Sequence, residues 1–217
     1  MTGSGQLPRG RHGIPREMVV RSQRERLLAA MIEMTAARGY DAISVADVLE
    51  ASGVGRETFY ELFEDKQDCF LAAHRILFDD FFNRVSTVYE RPGPWPERVG
   101  NALTELLERL AADPDATKVL LIEIAKVGPA SRELFTATFT RVTALLTDGS
   151  ADSAAAAALP NVATIAGAAV FARIHEEVVL GRAAELPRLR PRLTYELLLP
   201  FVGEEEARKE ERRLSAA

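Results

Sequence analysis

The side chains able to do covalent or acid–base chemistry are few in this chain, and their spacing does not assemble a reaction centre. His175 is followed by Glu176 and Glu177, but the second histidine of an H-E-x-x-H zinc helix is missing. Neither His74 nor His175 has a glutamate three residues earlier, so the paired E-x-x-H motifs of di-iron bundles are absent. There is no P-loop, no G-x-S-x-G elbow and no G-x-G-x-x-G turn. The single cysteine, Cys69, lies beside Phe70 and Leu71 in a helical pattern, where a buried structural thiol is expected. One cysteine permits no intrachain disulfide and fits a reducing compartment. The expectation is a protein that is not an enzyme and uses no cofactor and no metal.

A different kind of spacing is informative between residues 39 and 63. Arg38-Gly39 closes one helix with a basic last turn and a C′ glycine. Ser44 then stands as an N-cap with Asp47 at N3, while Ile43 and Val48 occupy the two positions of a hydrophobic staple. This second helix stops at Ser52-Gly53, and a third begins near Gly55-Arg56. Two short helices joined by a glycine-containing turn form a helix-turn-helix. Val45, Val48 and Leu49 would pack on Phe59, Leu62 and Phe63, leaving Arg56, Glu57, Thr58, Tyr60 and Glu61 on the outer face.

The elements that must position this pair are helical throughout. The chain has 217 residues, 47% of them hydrophobic and 27% charged, enough for one large core or one large and one small. No run of β-branched or aromatic residues alternates with polar ones, and apolar residues recur at three- and four-residue spacing. Prolines punctuate about nine or ten helices, roughly 16–38, 45–52, 56–62, 66–90, 96–111, 115–127, 131–148, 160–181 and 188–202, with a charged tail helix near 204–213. Residues 1–15 read as a disordered arm and 147–158 as a low-complexity loop. The arm lacks the apolar stretch of a secretory signal, and the longest nearly apolar run, 162–172, is short of the ~18 residues that span a bilayer. A cytoplasmic protein without membrane contact is expected. The net charge of −5 argues weakly against nucleic acid.

Residues 39–70 nevertheless resemble the DNA-binding segment of TetR/AcrR-type transcriptional regulators. The matching features are Gly39-Tyr40 before a capped helix, the Ser52-Gly53-Val54 turn, Thr58-Phe59-Tyr60 with Phe63 on the third helix, and Lys66 opening the fourth. With helix one, the likeness covers about fifty residues; the rest agrees only in architecture and length. It implies an all-α fold in which an N-terminal three-helix DNA-binding domain (16–66, helix-turn-helix about 44–63) precedes an effector-binding and dimerisation domain (67–217). It also implies roles. Ser44 would donate to a phosphate, and Gly55 would open the recognition helix. Arg56 would reach guanine in the major groove, and Thr58, Tyr60 and Lys66 would contact phosphates. Arg21 and Arg24, with Arg9 and Arg11 of the arm, would add backbone or minor-groove contacts. Two residues depart from the pattern: Leu49 replaces a small residue, and Glu57 replaces one that is often glycine. Glu57 would read a cytosine amino group or point aside. Residues 1–66 hold nine Lys and Arg against ten Asp and Glu, so non-specific DNA affinity should be modest.

The C-terminal two thirds holds most of the aromatic residues. Phe78 and Phe82 recur at helical spacing, and Trp95, Phe135, Phe139 and Phe171 follow on later helices. They read either as helical core or, with Leu107, as the wall of an apolar effector cavity such as the resemblance implies. Glu123 would pair with a nearby base or face a polar cavity. His175 would be a satisfied core residue or an effector hydrogen-bonder. The last two long helices, with small Ala166 and Ala169 on one and Leu193 and Leu197 on the other, would form a homodimer bundle. The resulting expectation is a dimeric repressor released from a double-stranded DNA operator by a small apolar effector. A helical small-molecule-binding protein with a degenerate DNA-binding half is the alternative.

Overall fold

The computed structural model describes residues 16–149 and 161–216. Among them the expected all-α class holds: nine α-helices and three short 3-10 segments, with no strand. The helices are α1 (Arg16–Arg38), α2 (Val45–Ser52), α3 (Arg56–Leu62), α4 (Lys66–Tyr89), α5 (Trp95–Ala112), α6 (Pro114–Leu121), α7 (Pro129–Gly149), α8 (Val162–Val179) and α9 (Arg190–Ser215). Arg9, Arg11 and most of the low-complexity stretch lie outside the described residues.

The first three helices follow the sequence closely because their ends are chemically specified. α1 buries Leu27, Leu28 and Met31 and stops where Gly39 adopts φ 83°, a left-handed conformation in which any Cβ would be strained. The Ser44–Asp47 capping box forms in full. Ser44 N–H donates to Asp47 Oδ2 at 2.8 Å, and Ser44 Oγ accepts from Asp47 N–H at 3.3 Å. Arg38 adds a 2.6 Å ion pair to Asp47, and these contacts hold that carboxyl well below the usual carboxylate range, the Ser44 hydroxyl being the largest cause. Ile43 and Val48 of the staple are both buried, and Val48 meets fully buried Phe59 of α3 in the same core.

Two elements differ from the periodic reading. The stretch expected as one helix over 115–127 breaks after Leu121 into a 3-10 turn, Glu123–Lys126. The tighter winding turns Glu123 and Ile124 toward the N-terminal helices instead of continuing along the α6 face. The expected helices 188–202 and 204–213 run as α9, kinked at Gly203 (φ 78°, ψ 175°), and are preceded by a 3-10 segment at Ala183–Leu189. Beyond the kink, Ala207, Glu210 and Leu214 are buried. The tail lies so close to α5 that a Cβ on Gly100 would stand 2.5 Å from Glu210 Oε1.

Buried side chains form two cores. One joins α1–α3, the start of α4 and Val119, Ile124 and Val127. The other joins the rest of α4 with α5, α8 and α9. α6 and its 3-10 turn touch both, because Leu121 and Ile122 pack on the second. Leu107 is fully buried inside that second core. Its replacement by alanine should lower unfolding free energy by about 2–5 kcal/mol in a urea titration; a loss under about 1 kcal/mol would show that the site is not close-packed.

Candidate nucleic-acid interface and effector cavity

The outer face of α3 carries the candidate base-reading residues. Gly55 is extended at the N-cap, and Arg56 and Glu57 are exposed on the first turn. Tyr60 is 48% exposed although Phe59 beside it is wholly buried. The Arg56 guanidinium lies 5.5 Å from the centre of the Tyr60 ring, a cation–π contact that holds both side chains on one face. Thr58 is half-buried. The surface is mixed in sign, since Glu57, Glu61, Glu64 and Asp65 are exposed beside Arg56.

Several residues expected at the backbone of DNA are already engaged within the protein. Ser44 Oγ donates to Asp47 Oδ2 at 2.5 Å, so its hydroxyl proton is committed to the cap. Lys66 sends its ammonium to the carbonyls of Tyr40 (3.0 Å) and Ile43 (2.9 Å), over the Tyr40 ring at 4.0 Å. One of its three donors remains for another acceptor. Arg24 packs over Phe63, and Arg21 pairs with Glu25 at 3.1 Å on the exposed side of α1. Cys69 is fully buried, and burial raises its thiol to about 12, which leaves it inert.

A polar seam fastens this unit to α6. Glu123, which is 0% exposed, accepts from the Tyr40 N–H at 2.8 Å and from Lys126 Nζ at 2.9 Å. Lys118 Nζ donates to the Ala36 carbonyl at 3.0 Å. Lys118 satisfies a carbonyl that the end of α1 leaves without a helical partner, and Glu123 satisfies the first N–H of the 3-10 turn that follows. Burial works to raise the Glu123 pKa, but the hydrogen bonds from Lys126 and Tyr40 outweigh it and hold the carboxyl below its ordinary value. Of the two sequence readings of Glu123, pairing with a base is the one the structure realises; it does not line the cavity described next.

That cavity lies between α4, α5, α7 and α8 and has a volume of about 160 Å³. Of the expected wall residues, Phe78, Phe135, Phe139 and Phe171 are brought together there. The others are not. Phe82 stacks on Phe78 and lies under Arg141 at 4.5 Å, outside the wall. Trp95 packs edge-on against Phe201, and Leu107 is spent in the core. Helical spacing shows that such residues share a stripe but not which of them meets a void. Leu121, Phe135 and Phe171 also border an outer cleft of about 780 Å³, where His175 and Arg132 lie. His74, which the sequence reading used only to exclude metal motifs, lines the inner cavity. The available signal was its position four residues before Phe78, on the same apolar stripe.

The expected dimer residues divide in the same way. Leu193 and Leu197 are buried within one chain, and so is Ala166, because the four-residue leucine spacing on α9 faces the internal core. Ala169 is exposed, in company with Ile165 (63% exposed) and Val179 on α8 and Leu199 on α9.

Residues 27–73 match the family model for bacterial regulatory proteins of the tetR family. No curated protein matches the chain. Among solved structures, the fatty acid degradation regulator FadR from Bacillus halodurans is 19% identical with a TM-score of 0.65, over 84% of this chain and 96% of that one. FadR from Bacillus subtilis in complex with stearoyl-CoA is 18% identical, with a TM-score of 0.66 over 82% and 98%. A transcriptional regulator from Rhodococcus sp. Rha1 is 22% identical, with a TM-score of 0.62 over 82% and 93%.

The seam makes its own prediction. Glu123→Ala strands the buried Tyr40 N–H and should cost about 2 kcal/mol in chemical unfolding at pH 7. Glu123→Gln keeps an acceptor for Tyr40 but not the charge. Because the folded-state pKa is depressed, the stability advantage of wild type over Glu123→Gln is complete above the ordinary value of 4.5 and fades as pH falls through the lower folded value. An advantage that is constant from pH 7 to pH 3 would contradict the ion pair.

Proposed function

We propose a sequence-specific transcriptional regulator, because residues 27–73 match the tetR family model and the fold is similar to that of solved transcriptional regulators. It acts as a homodimeric repressor released from its operator by a small, largely apolar effector. The observation that carries this reading is the α6 connection. One short helix contributes Leu120 and Leu121 to an apolar cavity and Lys118 to the DNA-binding unit.

The mechanism follows from the lengths and seams. α4 is about 35 Å long at 1.5 Å per residue, running from the DNA-binding unit past the cavity. An effector between Phe78 and Phe139 pushes α4 and α6 apart or together, and the Glu123 and Lys118 contacts carry that shift to α1 and Tyr40. Two recognition helices in successive major grooves must stand about 34–36 Å apart, so a small tilt in each subunit disturbs the match. The effector has to favour the released state; a ~100-fold preference supplies about 2.7 kcal/mol. That the similar FadR from Bacillus subtilis was solved in complex with stearoyl-CoA, a molecule with a long apolar chain, supports an apolar effector. No part of the mechanism requires catalysis.

The exposed acidic residues around α3 favour a second reading, a helical small-molecule-binding protein whose DNA-binding half is degenerate. Selection of bound sites from random duplexes, followed by a salt-dependent titration, separates the two. The repressor recovers a two-fold-related site, and binding without sequence preference at any salt concentration supports the second reading. On the recovered site, Arg56→Ala should relax preference at one base pair by roughly 1–3 kcal/mol, whereas Tyr60→Ala should weaken all sequences about equally.

The exposed apolar face of α8 and α9 supplies the dimer contact in this proposal. Ile165→Glu should yield a folded monomer in sedimentation at micromolar concentration, with helical circular dichroism retained. Leu193→Glu should instead lose the fold, since it buries an unpaired charge. An Ile165→Glu protein that remains fully dimeric contradicts the assignment.

A further inference from the structure

Three polar side chains line the inner cavity: His74, Tyr89 and Thr138. Two of them are satisfied within the protein. Tyr89 OH donates to the Leu145 carbonyl at 2.5 Å, and Thr138 Oγ1 donates to the Phe135 carbonyl at 2.8 Å. His74 is different. It is 98% buried, its Nε2 is 3.1 Å from the Leu120 carbonyl, and its Nδ1 has no hydrogen-bond partner in the protein.

Chemistry fixes what that leaves. A carbonyl oxygen only accepts, so Nε2 carries the hydrogen. Burial keeps the imidazole pKa below its ordinary value, so the ring is neutral and Nδ1 is a bare acceptor. Buried acceptors in folded proteins are almost always paired. The surrounding wall is aliphatic and aromatic and has no free donor to offer. A donor from outside the protein, a ligand group or an ordered water, would pair with this atom.

Resting on the reading of this cavity as the effector site, we propose that the effector carries a hydroxyl or N–H placed against His74 Nδ1. The cavity then selects donor-bearing, otherwise apolar molecules over donor-free molecules of the same shape. The size of the ligand follows from the volume. An apolar cavity of about 150 Å³ accepts benzene, so a void of about 160 Å³ takes a one- or two-ring molecule, larger ones extending past Phe135 and Phe171 into the outer cleft. The contact also reaches the switch. His74 is bonded to Leu120, and α6 sends Lys118 to Ala36 and leads into Glu123, so a ligand that shifts the imidazole acts on the helix that grips the DNA-binding unit.

Three planar isosteres test the proposal on the full-length protein: indole, which has an N–H donor; benzofuran, which has only an acceptor; and indene, which has neither. By titration calorimetry, indole should bind at least tenfold tighter than either of the others, equivalent to about 1.4 kcal/mol. His74→Phe should abolish that gap while still admitting indene. In histidine-labelled wild-type protein, indole and not indene should shift the His74 Nδ1 resonance, a readout that needs no variant. Equal affinities for the three, a gap that survives His74→Phe, an unmoved Nδ1 resonance, or no binding of any of them at millimolar concentration overturns the proposal. Operator release by the same compounds is measured separately. Donor selectivity without release leaves the binding site standing and removes the switch; release by indene as strong as by indole does the reverse.

Discussion

One buried carboxylate holds the two halves of this molecule in register. Glu123 sits on a 3-10 turn that no periodicity requires, and it accepts the Tyr40 N–H just beyond the end of α1. An ionised group with no exposed surface is tolerable only if its oxygens are fully engaged. Here a main-chain N–H and the Lys126 ammonium do that. Gly39 suits this turn because its φ of 83° is a backbone conformation that most side chains avoid. Lys66 holds the next peptide of the same segment through the Tyr40 carbonyl. The segment that enters α2, and hence the aim of α3, is therefore set by contacts from α4 and α6.

That arrangement explains why Lys66 and Ser44 are more informative as structural groups than as isolated surface donors. The Ser44–Asp47–Arg38 cluster and the Lys66 ammonium spend their hydrogen bonds on orienting a short helix pair with a small core of its own. Arg56 and Tyr60, by contrast, touch each other and, through the Tyr60 ring, Phe59, and both remain exposed. Rigid support with free outer groups is the arrangement expected of a reader of a surface as regular as duplex DNA.

The N-terminal third was legible in the sequence because its turns are written in residues with local rules. Ser44 and Asp47 specify a cap, Gly39 and Gly53 specify left-handed stops, and Ile43 and Val48 specify the entry of the chain. All of these act within a few positions. The cavity was only half legible. Phe78, Phe135, Phe139 and Phe171 line it, whereas Phe82 lies under Arg141, Trp95 against Phe201, and Leu107 within the core. Long-range packing, which spacing does not encode, decides between the two. Glu123 shows the same limit: its partner stands 83 residues away, and only the fold brings them together. Leu193 and Leu197 invert it, since an apolar repeat that suited a partner surface is satisfied inside the chain.

In the proposed regulator, the outer face of α3 and the cavity are one mechanical unit joined through α6 and the 3-10 turn that follows it. Linkage makes that reciprocal, so DNA binding must be felt at the cavity even when no effector is present. Amide hydrogen exchange of the free protein and of its complex with the selected operator duplex measures it directly. The account predicts slower exchange in the complex both in residues 56–62 and at Leu120–Lys126, with the Tyr40 amide included. Protection confined to residues 44–66, with Leu120–Lys126 exchanging identically in both states, would contradict it.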